Sequence, residues 1–106
     1  MDRKEIARKF AEDVVAKYPD SVKSILLYGS VARGEDKEES DIDLLVLTKN
    51  NADLDFPLAE LTTKYVLKYG EVPMALAYDY EDFRLKAKHY IFQREVLKEG
   101  ISLYGS

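Results

Sequence analysis

The chain has 106 residues, with 16 Lys or Arg against 20 Asp or Glu and a net charge of −4. That balance, without a basic cluster, argues against gripping long nucleic acid by its phosphates. The lack of cysteine excludes a disulfide framework, a zinc–thiolate site and a thiol nucleophile. No apolar run approaches the roughly 18 residues of a membrane span, and the charged start MDRKEIARKF is not signal-like. The expectation is one cytoplasmic domain over residues 1–106, away from the membrane, with apolar content sufficient for one core.

In chain order, Ile6, Phe10, Val14 and Tyr18 recur four apart, which predicts an amphipathic helix over about 3–17 that ends before Pro19. Val22 to Tyr28 reads as a strand stopped by Gly29. Ser30 can open a short helix, and Glu35 to Glu39 reads as a solvated charged loop. Asp41 to Thr48 is a second strand, and its LLVL run suggests burial on both faces. A turn over Asn50 to Asp55 leads into a helix carrying Leu58, Leu61, Tyr65 and Tyr69, with Asp55 as the expected cap, Pro57 in the first turn and Gly70 at the end. The shared face of Tyr65 and Tyr69 reads as packing.

Val72 to Tyr78 is a third strand, with Pro73 near its start where a missing N–H costs least. Asp79 is the expected cap of the next helix. Phe83, Ala87, Tyr90, Ile91 and Leu97 support one or two helices ending at Gly100, and Ile101 to Tyr104 a final extended segment. The predicted fold class is α/β (α+β): a small twisted mixed sheet of three to four strands flanked by helices.

Chemistry concentrates in LLYGSVARGEDKEESDIDLLVL, residues 26–47. A strand sends residues i and i+2 to one face, so Asp41 and Asp43 point the same way. Two like charges so placed resist full ionisation unless a cation compensates, and a hard divalent ion suits two carboxylates while keeping sites for phosphate oxygens. A solvated strand start would explain the pair as well. Gly29 allows backbone N–H groups close to an anion, and a helix opened by Ser30 would favour phosphate at its N-terminus. An ordinary Gly-Ser turn is the plainer reading of those two residues alone.

The string GSVARGEDKEESDIDLLV joins Gly29-Ser30 to Asp41-x-Asp43 across ten residues. It resembles the signature of the nucleotidyltransferase superfamily related to DNA polymerase β, and within it the minimal nucleotidyltransferases (MNT type). The resemblance implies Mg²⁺- or Mn²⁺-dependent transfer of a nucleoside monophosphate, AMP above all, from ATP or another nucleoside triphosphate to an acceptor hydroxyl. It implies Gly29 and Ser30 on the triphosphate, Arg33 as a further phosphate contact, and Asp41 and Asp43 as catalytic metal ligands. Members often act as antitoxins beside a helical HEPN-type toxin, so the expected acceptor lies on such a partner protein. A homo-oligomer is the other expected assembly.

One element of the pattern is missing. Active members usually carry a third carboxylate in the middle of the next core strand, and here that middle reads Met74-Ala75-Leu76. Glu71 precedes it and Asp79 comes after, both poorly placed to substitute. The alternative expectation is therefore a weak or inactive nucleotidyltransferase-fold protein that neutralises a partner by complex formation. Arg84 and His89 match an Arg-x4-His spacing seen in HEPN ribonucleases, but those are helical bundles, and the match reads as coincidence. No P-loop or Rossmann string occurs.

Overall fold

The computed structural model describes residues 1–105; Ser106, the last residue of the expected domain, lies outside the described residues. Helix α1 (Arg3–Lys17) begins in a capping box, in which the Asp2 side chain accepts from the Glu5 backbone N–H and Glu5 returns the bond. Its buried face is Ile6, Ala7, Phe10, Ala11 and Val14, the periodic set of the sequence. Strand β1 (Val22–Tyr28) runs directly into the five-residue helix α2 (Gly29–Arg33), and β2 (Ile42–Thr48) comes after the charged loop. The strand begins one residue later than expected, leaving Asp41 just outside it.

Helix α3 (Asp55–Tyr69) starts differently from the sequence expectation. Asp55 is the first helical residue rather than the cap, and Asp53 Oδ1 accepts from its backbone N–H at 3.1 Å. Asp55 lies in the first turn, where a negative charge suits the helix dipole. Strand β3 (Pro73–Asp79) leads into two short helices, α4 (Tyr80–Lys86) and α5 (Ile91–Glu99), and the chain returns as β4 (Ile101–Tyr104). Asp79 caps α4 as expected, its side chain accepting from Asp82 N at 3.0 Å.

The four strands form one mixed sheet in the order β3-β2-β1-β4. β1 pairs antiparallel with both β2 and β4, whereas β2 and β3 are parallel, joined by the α3 crossover. Alternation along the strands divides the sheet into two faces. Ile25, Leu27, Ile42, Leu44 and Val46 pack with Phe10 and Val14 of α1 and Leu58 and Tyr65 of α3, the larger core. Leu45 and Leu47 turn the other way, onto Phe83 of α4 and Val96 of α5, with Leu26, Tyr28 and Tyr80 beside them. β2 is therefore buried on both faces, as its LLVL run required. Phe10 and Tyr65 meet edge-on at 5.1 Å, and Tyr65 and Tyr69 stack obliquely at 5.3 Å. Those tyrosines are packing residues.

Candidate active site

The β1–α2 junction and the start of β2 meet at one end of the sheet, on the α4–α5 face. Tyr28 is the cross-strand partner of Asp43, and Met74 flanks Asp43 from β3, so one row runs Tyr28–Asp43–Met74 across three strands. Asp43 lies in this row half-buried; Asp41 stands exposed just ahead of the strand. Burial pushes the Asp43 carboxyl above its ordinary range, and the nearby negative charge of Asp41 adds to the push, while Arg33 opposes it. The Tyr28 phenol is raised to about 12, first by burial and then by the charge of Asp43.

Gly29 explains why the strand ends as it does. Its φ is +74°, and a Cβ built there would stand 2.2 Å from Asp43 Oδ2. The Asp43 carboxylate lies directly on the Gly29 α-carbon, so any side chain would both strain the backbone and displace the acid. The junction thus places the first backbone groups of α2, including Ser30, beside a half-buried carboxylate. Arg33 ends α2 and reaches Glu35 at 3.2 Å and Glu99 of α5 at 3.9 Å. It is near enough to Asp43 for its charge to act there. Gly29, Ser30, Arg33, Asp41 and Asp43, all singled out in the sequence, come together at this end of the sheet.

The two doubtful carboxylates do not join them. Glu71 is held by Arg3, whose guanidinium also pairs with Asp36 at 2.9 Å and donates to the carbonyl oxygens of Lys37 and Glu38. The charged loop is therefore clamped to the first turn of α1 rather than merely solvated. Asp79 caps α4 and sits five residues along β3 from Met74, roughly 16 Å at ~3.3 Å per residue. Among the described residues, no group of three or more His, Cys, Asp or Glu is arranged to hold a metal. Asp41 and Asp43 are two hard oxygen donors, a set that fits a divalent ion only when phosphate or water oxygens complete the shell.

The chain matches the family model described as Polymerase beta, Nucleotidyltransferase over residues 11–106. It belongs to this nucleotidyltransferase family. A Methanocaldococcus jannaschii relative named "putative protein adenylyltransferase" is 39% identical over 104 residues, covering 98% of this chain and all of the relative. Among solved structures, a toxin-antitoxin with AMP-PNP superposes with a TM-score of 0.65 at 19% identity, over 93% of this chain and 73% of that one. A chain described as a "putative minimal nucleotidyltransferase" gives a TM-score of 0.58 at 26% identity, over 95% of each. The resemblance seen in the GS…DxD string and the small mixed sheet are thus those of this nucleotidyltransferase family, whose members are transferases.

Sequence reasoning missed Tyr28, Phe92, Glu95 and Glu99. A cleft of about 260 Å³ opens beside Gly29 and Arg33, walled on its far side by α5 through Phe92, Glu95, Val96 and Glu99. Phe92 meets Tyr28 edge-to-face at 5.9 Å. The i, i+3, i+4, i+7 spacing of those α5 residues marks one helix face, but only the fold says what that face meets.

Proposed function

We propose that this nucleotidyltransferase-family chain transfers AMP from Mg²⁺–ATP to a hydroxyl on a partner protein, as an antitoxin acting on a helical HEPN-type toxin. The single observation that carries the reading is the contact of Asp43 with Gly29. It brings one carboxylate of the pair against the backbone turn that would cradle a triphosphate. Ser30 and the free N–H groups of the first turn of α2 bind phosphate oxygens, and Arg33 adds a guanidinium suited to them once it leaves Glu35. Asp41 and Asp43 would hold the divalent ion, which needs further oxygen ligands beyond these two. When bound, that ion offsets charge at the α-phosphorus and on the departing pyrophosphate. Asp43 is suited to this because its charge is half-buried, and the nearby Arg33 offsets only part of the push from burial and Asp41. The acceptor oxygen bonds to the α-phosphorus as pyrophosphate leaves in line, and the hydroxyl proton passes to water, because Met74 beside Asp43 offers no base. The M. jannaschii relative's name and the toxin-antitoxin neighbour support this choice of acceptor.

The same Met74 supports a second reading: the chain binds nucleotide but neutralises its partner by complex formation. The two part in one experiment. The chain is incubated with α-labelled ATP, Mg²⁺ and the product of the neighbouring reading frame, and compared with Asp41→Asn/Asp43→Asn. Label on the partner that disappears in the double variant is the expected result. A partner that stays unlabelled yet is inhibited equally by both chains sinks the transfer reading in favour of the second.

A further inference from the structure

The cleft between α2 and α5 has a composition that a phosphate site does not need. Its floor is Gly29 and Arg33, its wall the ring of Phe92, and the carboxylates of Glu95 and Glu99 rim it. Phe92 is 45% exposed. Tyr28 holds the ring edge-to-face at an interplanar angle of 83°, a contact that covers at most one of its two faces. Glu95 lies half-buried without an ion pair among the described residues, whereas Glu99 is within 3.9 Å of Arg33. Solvated apolar rings are ordinary; one pinned in a cleft next to the phosphate turn, with an unpaired acceptor one helical turn away, is a recognition arrangement.

We infer that the Phe92–Glu95 face of α5 is the nucleobase subsite, stacking the base on Phe92 and selecting, through the Glu95 carboxylate, bases with an amino group at purine C6 or pyrimidine C4. The inference rests on the triphosphate reading of Gly29, Ser30 and Arg33, because the cleft shares Gly29 and Arg33 with it. Every base has a π-face, so stacking supplies affinity without choice. Choice comes from the carboxylate, which only accepts. It takes a hydrogen bond from the 6-amino group of adenine or the 4-amino group of cytosine, and meets a repelling carbonyl oxygen at that position in hypoxanthine, guanine or uracil.

Calorimetric titration of the full chain with ATP, ITP and inorganic tripolyphosphate, each with Mg²⁺, tests this. Wild type is expected to bind ATP more tightly than tripolyphosphate, and on the order of tenfold or more tightly than ITP, the scale of one charged hydrogen bond. Phe92→Ala should weaken ATP roughly 5- to 100-fold, the range of base–aromatic stacking, and leave tripolyphosphate unchanged; Phe92→Trp should keep ATP. Glu95→Gln, which can donate as well as accept, should bring the ATP-to-ITP ratio toward one. A Phe92→Ala chain of unchanged circular dichroism that binds ATP like wild type overturns the inference and leaves the cleft to the acceptor. Arg33→Ala and Asp43→Asn separate the two levels. If they weaken ATP and tripolyphosphate alike while wild type does not distinguish those ligands, the base subsite fails and the phosphate site stands. If they alter neither ligand, the phosphate reading fails.

Discussion

The two faces of one sheet are built to different rules. The face under α1 and α3 is closed: Ile25, Leu27, Ile42, Leu44 and Val46 belong to one buried apolar cluster that includes Tyr65. The face under α4 and α5 is closed at one end, over Leu45, Leu47, Phe83 and Val96, and open at the other, where Tyr28, Asp43 and Met74 form their row. β2 serves both, with Leu44 packed one way and Asp43 turned the other. The main apolar core therefore lies on one side of the strand and the candidate site on the other, and the boundary between them is a single peptide bond.

That division can be broken at its strongest point first. Phe10→Ala removes the largest fully buried side chain of the closed face and should cost about 3–5 kcal/mol in chemical denaturation, with any loss of nucleotide binding tracking unfolding. Gly29→Ala acts on the open face. The added methyl collides with the Asp43 carboxylate, and the left-handed backbone alone costs about 1–2 kcal/mol. It should abolish Mg²⁺–ATP binding in a chain that still melts cooperatively, and normal ATP affinity in this variant would dissociate Asp43 from the site. Arg3→Ala is a smaller change: it frees Glu71, Asp36 and the carbonyl oxygens of Lys37 and Glu38 from their common donor. Faster hydrogen exchange over residues 35–40 with helix and sheet protection kept is the expected signature.

The smallest effect has the opposite sign to the others. Since folding raises the Asp43 carboxyl, the folded chain holds its proton more tightly than the unfolded one. Stability contributed by the protonated form is present below the unfolded value near 3.8 and is lost as pH rises through the higher folded value. In chelator, Asp43→Asn should therefore raise the melting temperature at neutral pH by a few degrees, and that gain should vanish at acid pH. A variant that is less stable at neutral pH would mean that Asp43 is a structural acid, not a frustrated one.

Legibility in the sequence depended on the range of each signal. α1 and β2 were legible because four-residue periodicity and a continuous apolar run report burial locally. Gly29 and the aspartates were legible as a motif, although the contact between Gly29 and Asp43 crosses fourteen positions and needed β1 and β2 in register. Asp55 was misplaced by one residue, since either Asp53 or Asp55 could supply the first-turn acceptor and only the backbone chooses. The Arg3 clamp, linking residues 33, 34, 35 and 68 positions apart, has no local trace at all. Nor does the approach of Phe92 to Tyr28, which depends on where α5 lands. Long-range polar geometry was illegible; local burial was not.

Strand β4 has a consequence for solubility. β1 is an apolar strand, and β4, arriving some seventy-five positions later in the chain, occupies its outer edge through Ile25, Leu26 and Leu27. Until β4 docks, that edge offers a row of unpaired N–H and C=O groups to any neighbouring chain. During synthesis the half-made protein carries an adhesive border until β4 has been made and has docked. β4 is short, four residues, so the border it leaves exposed in turn is a narrow one.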